Sequence, residues 1–156
     1  MLHIYSDGSC SGNPGAGGWA YVMVVKTFQG DSILASDSGG ELNTTNNRME
    51  LLAVINALEA LKEMSNLPRT ISLYMDSQYV QKGITEWIKQ WKRNHWRTSD
   101  KKQVKNQDLW QKLDTLSENL QSGEFAISYK WVKGHEGNFY NELCDKMARE
   151  AAVSLN

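Results

Sequence analysis

The chain has 156 residues, of which 40% are apolar, and a formal net charge of −1 at pH 7; this length and apolar content predict a single domain, residues 1–156, with a buried core. The first residues lack the basic start and long apolar run of a signal peptide or membrane helix, which predicts a cytoplasmic protein with no membrane partner. Cys10 and Cys144 have no metal-ligand spacing, which argues against a disulfide framework or structural zinc, and nothing in the composition asks for more than a monomer.

The first half of the chain is predicted to contain three strands and a long helix. Three segments share the alternation of apolar and polar residues that is typical of strands: residues 2–4, 19–25 and, more weakly, 32–40. Gly30 and Asp31 mark the turn before the third strand. Residues 44–47 supply capping side chains ahead of residues 49–64, where apolar side chains occupy most faces. This last segment is predicted to be a largely buried central helix.

The second half alternates between further strands and helices. Strands are predicted at residues 71–75 and 125–132, and helices at residues 77–90, 108–120 and about 141–153. A polar stretch at residues 94–106 separates the first two of these helices. The order of the elements predicts an α/β fold in which helices pack on a mixed sheet.

A basic segment is hidden by the small net charge. Residues 87–105 contain seven lysines and arginines and one acidic residue, whereas acidic residues outnumber basic ones elsewhere. This pattern favours an anionic partner held at a defined place. Trp87 and Trp91 share one helix face beside these cations and would offer a flat apolar surface between phosphate partners; the alternative is that both anchor a small helical subdomain. Three other tryptophans are predicted to pack inside: Trp19, Trp110 and Trp131.

Four carboxylates stand in sequence contexts that favour a shared site. Asp7 in IYSDGS and Asp76 in LYMDSQ each end an apolar strand, and parallel neighbouring strands would bring both to one sheet edge. Glu50 lies among apolar neighbours near a helix start, so its carboxylate must be paired, hydrogen-bonded or metal-bound unless it reaches solvent. Asp145 has the weakest context, because it neighbours basic residues on an amphipathic helix. The alternatives are strand-end turns, a helix-dipole partner and a solvated helix face.

Gathered at one point, these carboxylates would repel one another and recruit hard divalent cations. Oxygen ligands alone suit Mg²⁺ or Mn²⁺. Two such ions, about 3.5 to 4 Å apart, could clamp the oxygens of an in-line phosphoryl displacement. His135, in a Gly-His-Glu-Gly loop, suits a proton shuttle, although a loop histidine is more often merely exposed. These residues predict phosphodiester hydrolysis.

The chain resembles the type 1 ribonucleases H, and in particular the bacterial ones. The matching stretches span nearly the whole chain in the family's order: DGSCSGNPGAGGWA, TTNNRMELLA, ALEALKE, DSQYVQKGITEWI, WKRNHW, DKKQVKNQDLW, WVKGHEGN and NELCDKMARE. The resemblance implies an α/β ribonuclease H-like fold, a five-stranded mixed sheet with helices on both faces and a basic protrusion. It also implies Mg²⁺-dependent endonucleolytic cleavage of the RNA strand of RNA–DNA hybrids, which leaves 5′-phosphate and 3′-hydroxyl ends.

Roles for individual residues are also implied by the resemblance. The metal ligands and the mobile catalytic histidine would be Asp7, Glu50, Asp76, Asp145 and His135. Three further groups match the family's substrate contacts: Cys10, Asn13, Asn46, Asn47 and Gln78 for the minor groove and ribose hydroxyls, Thr45 and Asn106 for a DNA phosphate, and Trp87 and Trp91 for the DNA-strand channel.

The chain departs from the bacterial pattern at a few places. Glu136 stands where a small residue is usual, and residues 138–140 replace a His-Pro-like stretch. Extra residues occur around 64–70 and 120–124. None of these differences removes an expected ligand.

Two other functions remain open at this stage. The first is a catalytically silent module that binds hybrids through the same channel, although such a protein has no reason to hold repelling carboxylates together. The second is a related DNA-cleaving nuclease, in which the basic segment and the TTNNRME motif would be unexpected.

Overall fold

The computed structural model describes residues 1–133 and 138–155 of the chain. Strands and helices follow one another in the predicted order. The strands are β1 (Leu2–Gly12), β2 (Gly15–Thr27), β3 (Gly30–Thr44), β4 (Thr70–Met75) and β5 (Ala126–Trp131). The helices are α1 (Asn46–Glu63), α2 (Gln78–Lys82), α3 (Ile88–Arg93), α4 (Gln107–Ser122) and α5 (Phe139–Val153), with a π-helical turn (Gly83–Trp87) between α2 and α3.

The five strands form one mixed sheet in the order β3-β2-β1-β4-β5. β1 and β2 pair antiparallel, as do β2 and β3. β4 runs parallel to β1 on one side and to β5 on the other. The predicted α/β class and the five-stranded mixed sheet are therefore confirmed.

Apolar side chains cover both faces of the sheet. In β1, Ile4 belongs to the larger core, which includes residues of α1 and α4, whereas its neighbour Tyr5 belongs to a smaller core completed by Cys144 of α5. This alternation is the period of two expected for a strand that is buried on both faces. Among the described residues, no helix has both the length and the apolar character needed to cross a bilayer.

The helix boundaries differ from the predicted ones where capping or local geometry decides them. α1 begins at Asn46, three residues earlier than predicted, because the Thr45 hydroxyl caps it by accepting a hydrogen bond from the amide of Arg48 at 3.2 Å. The helix predicted at residues 77–90 extends to Arg93, with the π-helical turn in its middle. No local sequence signal predicted that turn.

Gly83, the first residue of the π-helical turn, lies against the fully buried indole of Trp110. A Cβ atom at position 83 would lie 2.0 Å from Cη2 and 2.6 Å from Cζ2 of that ring. Such distances are far below van der Waals contact, and a buried ring in a close-packed core has little room to move. Only glycine allows this approach.

Gly83→Ala should therefore destabilise the protein by about 1–3 kcal/mol, although alanine favours helices over glycine by about 1 kcal/mol. Urea denaturation followed by circular dichroism would measure the change. Gly123→Ala is the matched control, because a Cβ atom there meets its nearest neighbours at 3.5 Å. A Gly83→Ala variant as stable as Gly123→Ala would contradict the proposed clash.

Candidate active site

Parallel pairing of β1 with β4 brings Asp7 and Asp76 to the same end of the sheet. The paired residues Tyr5 and Tyr74 each lie two positions before one of the acids. One carboxylate oxygen from each of Asp7, Asp76 and Glu50 lies within 4.8 Å of the other two. The expected convergence of these three acids is therefore present in the structure.

Glu50 reaches the cluster because α1 crosses β1 at Gly8. A Cβ atom at Gly8 would lie 2.5 Å from the backbone nitrogen of Glu50, so a side chain there would push the helix away. The amide of Gly8 donates to Oδ1 of Asp7 at 2.9 Å and to Oε1 of Glu50 at 3.1 Å. Asp7 and Glu50 are only 3% and 4% exposed, which makes this shared donor important for both carboxylates.

Burial and mutual repulsion disfavour charge on these acids. The pKa of Asp7 is raised to about 8, first by burial and then by the nearby charge of Asp76. Burial, followed by repulsion from Asp7 and Asp76, also raises the pKa of Glu50 well above its ordinary value. Because like charges that close cannot all ionise cheaply, both acids hold a proton more tightly than an ordinary carboxyl group does when no cation is bound.

Asp145 lies beside this cluster, outside the group of three. Its charge contributes to the raised pKa of Asp7. Its side chain is 25% exposed and accepts a hydrogen bond from Nε of Arg149 at 3.0 Å, one helical turn along α5. The structure thus supports both readings of Asp145, as a neighbour of the acids and as part of a partly solvated ion pair.

The cluster offers only carboxylate oxygens, the donor set that hard divalent cations prefer. A bound dication would also stabilise the ionised forms that burial and repulsion disfavour. The residues present therefore fit a divalent metal site. His135, expected near these acids, lies outside the described residues.

Most of the expected hydrogen-bonding contacts to substrate border one polar cavity of about 160 Å³. It is lined by Asn13, Thr45, Asn46, Asn47, Lys105 and Asn106. Thr45 caps α1, so the first turn and the positive dipole end of a long helix lie at the cavity. Lys105 was not singled out from the sequence, although its place in the basic segment next to Asn106 was the available signal. This combination suits a phosphate group.

Cys10 and Gln78 lie away from that cavity. The Cys10 thiol is 3.4 Å from the carbonyl oxygen of Thr44 and borders a second cavity, of about 360 Å³, together with Arg149. Gln78 is exposed at the first position of α2, two residues after Asp76. Along the chain, Cys10 lies three residues after Asp7 and Gln78 lies two residues after Asp76.

The tryptophans of the basic segment form a half-buried aromatic cluster. Trp87 and Trp91 have ring centroids 5.9 Å apart, and Trp91 also packs edge-on against the buried Trp110 at 5.3 Å. They border a surface cleft of about 410 Å³ together with Arg97. Trp91 therefore packs against the core and also borders the surface cleft.

Trp131 was expected to pack inside, and this prediction was wrong. Its side chain is 41% exposed at the end of β5, and its indole N–H donates to the backbone carbonyl of Asp76 at 3.0 Å. The outward orientation gives the carbonyl of Asp76 a hydrogen-bond donor that an inward ring would not provide.

Replacing Asp7 by asparagine should stabilise the metal-free protein. A carboxyl group whose pKa is about 8 in the folded state, against 3.8 for an unperturbed aspartate, binds its proton more tightly when folded. Its contribution to the free energy of unfolding therefore falls as pH rises between these values. The gain in Tm, about 2–8 °C, should be larger at pH 8 than at pH 5.

Thermal denaturation in EDTA at both pH values would test this, with the exposed Asp37→Asn as control. Asparagine keeps an acceptor for the Gly8 amide, so the backbone contact is preserved. A lower Tm, or a gain that does not depend on pH, would count against electrostatic strain at this site.

Comparison with known proteins gives a consistent result. The family model described as RNase H matches residues 1–153. A ribonuclease H of Treponema denticola is 50% identical, over 99% of this chain and 98% of the relative. Another, of Thiobacillus denitrificans, is 51% identical, over 98% of this chain and 94% of the relative. The crystal structure of LC9-RNase H1, a type 1 RNase H with the type 2 active-site motif, matches this chain with a TM-score of 0.82. The two chains are 29% identical, and the match covers 99% of this chain and 73% of the LC9 chain. The resemblance seen in the motifs is confirmed, and the chain belongs to the ribonuclease H family.

Proposed function

We propose that this protein is an endoribonuclease that hydrolyses the RNA strand of RNA–DNA hybrids and leaves 5′-phosphate and 3′-hydroxyl ends. The observation that carries the proposal is the approach of Asp7, Glu50 and Asp76 to within 4.8 Å at one end of the sheet, in a chain of the ribonuclease H family. Such an arrangement has little structural value by itself, because it costs folding free energy.

The proposed cofactor is Mg²⁺, with two ions in the presence of substrate and Mn²⁺ as a possible substitute. Asp7, Glu50, Asp76 and Asp145 would hold the ions. When bound, the ions supply charge stabilisation at the phosphate and a water of lowered pKa. Support comes from the oxygen-only donor set and from the raised pKa values of Asp7 and Glu50, which a nearby dication would reverse.

We assign His135 to proton transfer or to product departure, on the basis of its place in the WVKGHEGN motif. An imidazole titrates near neutral pH and can therefore exchange a proton with a reacting oxygen. The residue lies outside the described part of the chain, so the proposal rests on the motif.

Recognition of a hybrid requires one surface for each strand. The RNA strand is distinguished by its 2′-hydroxyls, which amide side chains can contact without reading the sequence. Cys10, Asn13, Asn46, Asn47 and Gln78 are the residues proposed for this role. For the DNA strand, Thr45 and Asn106 would bind a phosphate in the polar cavity, and Trp87 and Trp91 would contact the strand beyond it. Weak sequence preference is expected.

A cytoplasmic location, a monomeric state and a single domain complete the proposal. Cys10 and Cys144 are both free thiols, in keeping with a reducing compartment.

Asp76→Asn should abolish cleavage while leaving hybrid affinity and fold largely intact, because only one charge of the cluster is removed. End-labelled hybrid with magnesium would be used to measure cleavage, and fluorescence polarisation would measure affinity. Asp37→Asn, which removes an exposed carboxylate on β3, should retain full activity. Undiminished cleavage by Asp76→Asn would defeat the assignment of this acid.

The same assay separates the two alternative functions. Offering RNA–DNA, RNA–RNA and DNA–DNA duplexes, each with and without chelator, should show chelator-sensitive cleavage of the hybrid's RNA strand alone. Binding without cleavage would indicate a silent module, and cleavage of duplex DNA would indicate a DNA nuclease.

The cations of the basic segment should contribute unequally to hybrid binding. Lys105 lines the polar cavity, whereas Lys92 is engaged by two acids of α4, Asp114 at 3.1 Å and Glu118. Lys105→Gln should therefore reduce the slope of log affinity against log salt concentration by about 0.9, the value for one phosphate contact. Lys92→Gln should leave the slope unchanged, as measured by fluorescence polarisation at several salt concentrations. An equal reduction of the slope by both substitutions would show that the ion pairs of Lys92 do not persist in the complex.

A further inference from the structure

Tyr79 connects the polar cavity to the tryptophan cluster. It lies in the first turn of α2, three residues after Asp76, and is half-buried. Its hydroxyl accepts hydrogen bonds from Nδ2 of Asn106 at 3.3 Å and from Nε1 of Trp110 at 3.1 Å. The indole N–H can only donate, so the hydroxyl oxygen acts as the acceptor for that bond.

Asn106 is held in an uncommon conformation next to this hydroxyl. Its φ is +59° and its ψ is 31°, in the left-handed region. It is the N-cap residue of α4, yet its side chain makes no capping hydrogen bond. An asparagine at this position ordinarily caps its own helix, so the bond to Tyr79 takes the place of the local one.

The bond to Tyr79 determines what Asn106 presents to the cavity. A carboxamide NH₂ group has two hydrogens, and the one that points to Tyr79 fixes the plane of the amide. The second hydrogen is then available to an anionic oxygen in the cavity that Asn106 lines. Without this anchor the amide can turn over and present its carbonyl oxygen, which would repel a phosphate.

The ring of Tyr79 contacts the other part of the DNA-strand surface. Its centroid lies 5.9 Å from that of Trp87, in an edge-on arrangement, and 5.3 Å from that of Trp110. These contacts depend on the ring and the hydrogen bonds depend on the hydroxyl, so substitution by phenylalanine separates the two.

We propose that Tyr79 is a positioning residue for DNA-strand recognition, whose hydroxyl orients the Asn106 amide toward a phosphate of the DNA strand. The inference rests on the proposed function, because it requires that a hybrid bind with a DNA phosphate in the polar cavity. It adds a residue that does not line this cavity to those that determine which group enters it.

The test compares Tyr79→Phe with Tyr129→Phe. Tyr129 is the matched control, because it is also half-buried and its hydroxyl makes a hydrogen bond with Ser117 at 2.8 Å, away from the cavity. Both variants would be made in a Glu50→Gln background, so that the RNA strand is not cleaved. Their affinities would be measured for hybrids that carry a single methylphosphonate, placed at each DNA position in turn. Kinetics would be measured with Glu50 restored.

In the Glu50→Gln reference, neutralising one DNA phosphate should weaken binding about tenfold, as for a hydrogen bond to a charged group. Tyr79→Phe should weaken binding of the unmodified hybrid to a similar extent. In this variant, the same methylphosphonate should cause little further loss of affinity. Its KM should rise while kcat stays unchanged. Tyr129→Phe should behave as the reference in all three measurements.

Tyr79→Phe with full sensitivity to the methylphosphonate would overturn the positioning role, and so would a loss confined to kcat. If the reference binds hybrids but no DNA position is sensitive, the phosphate site is absent and the inference falls with it. If the reference does not bind hybrids at all, the proposed function itself fails. The three results can be told apart. The first is seen only in Tyr79→Phe, the second in the methylphosphonate series of the reference, and the third in binding of the unmodified hybrid by the reference.

Discussion

Repulsion between the clustered carboxylates of Asp7, Glu50 and Asp76 opposes folding, and the packing around them has to offset it. Two apolar cores, one on each face of the sheet, provide that stabilisation. Gly8 contributes at the point of contact, because its missing side chain admits α1 and its amide serves two of the acids. The acidic cluster is therefore a property of strand pairing and helix packing together, and a rigid frame holds groups that would separate if they were free.

The surface that would receive nucleic acid is built only in part by the elements that hold the acids. The sheet and α1 fix the carboxylates, the π-helical turn and α3 carry the tryptophans, and the polar cavity lies between the start of α1 and residues 105–106. The cations of residues 87–105 are exposed, and one of them, Lys92, is paired with two acids of α4. Tyr79 lies where the two parts meet.

Much of the fold and part of the candidate site could be predicted from the sequence, because local patterns determine them. Period-two alternation located the first three strands, and acids at strand ends predicted the meeting of Asp7 and Asp76. Features set by contacts between distant segments escaped prediction. Trp131 turns outward to the carbonyl of Asp76, Lys92 finds its partners on α4, and Asn106 adopts a left-handed backbone beside Tyr79. In each case a long-range hydrogen bond or ion pair outweighs the local preference.

A π-helical turn holds one residue more than an α-helical path of the same length would need, so residues 83–87 set the rotational phase of everything that follows on this helix. Removing a single residue there would restore regular winding with Trp91 in its present phase, whereas removing one from regular α-helix would turn everything beyond it by roughly 100°. The sheet edge would keep its geometry, because no strand contains the altered segment. The orientation of the tryptophans toward a duplex therefore depends on a segment that contains none of the clustered carboxylates.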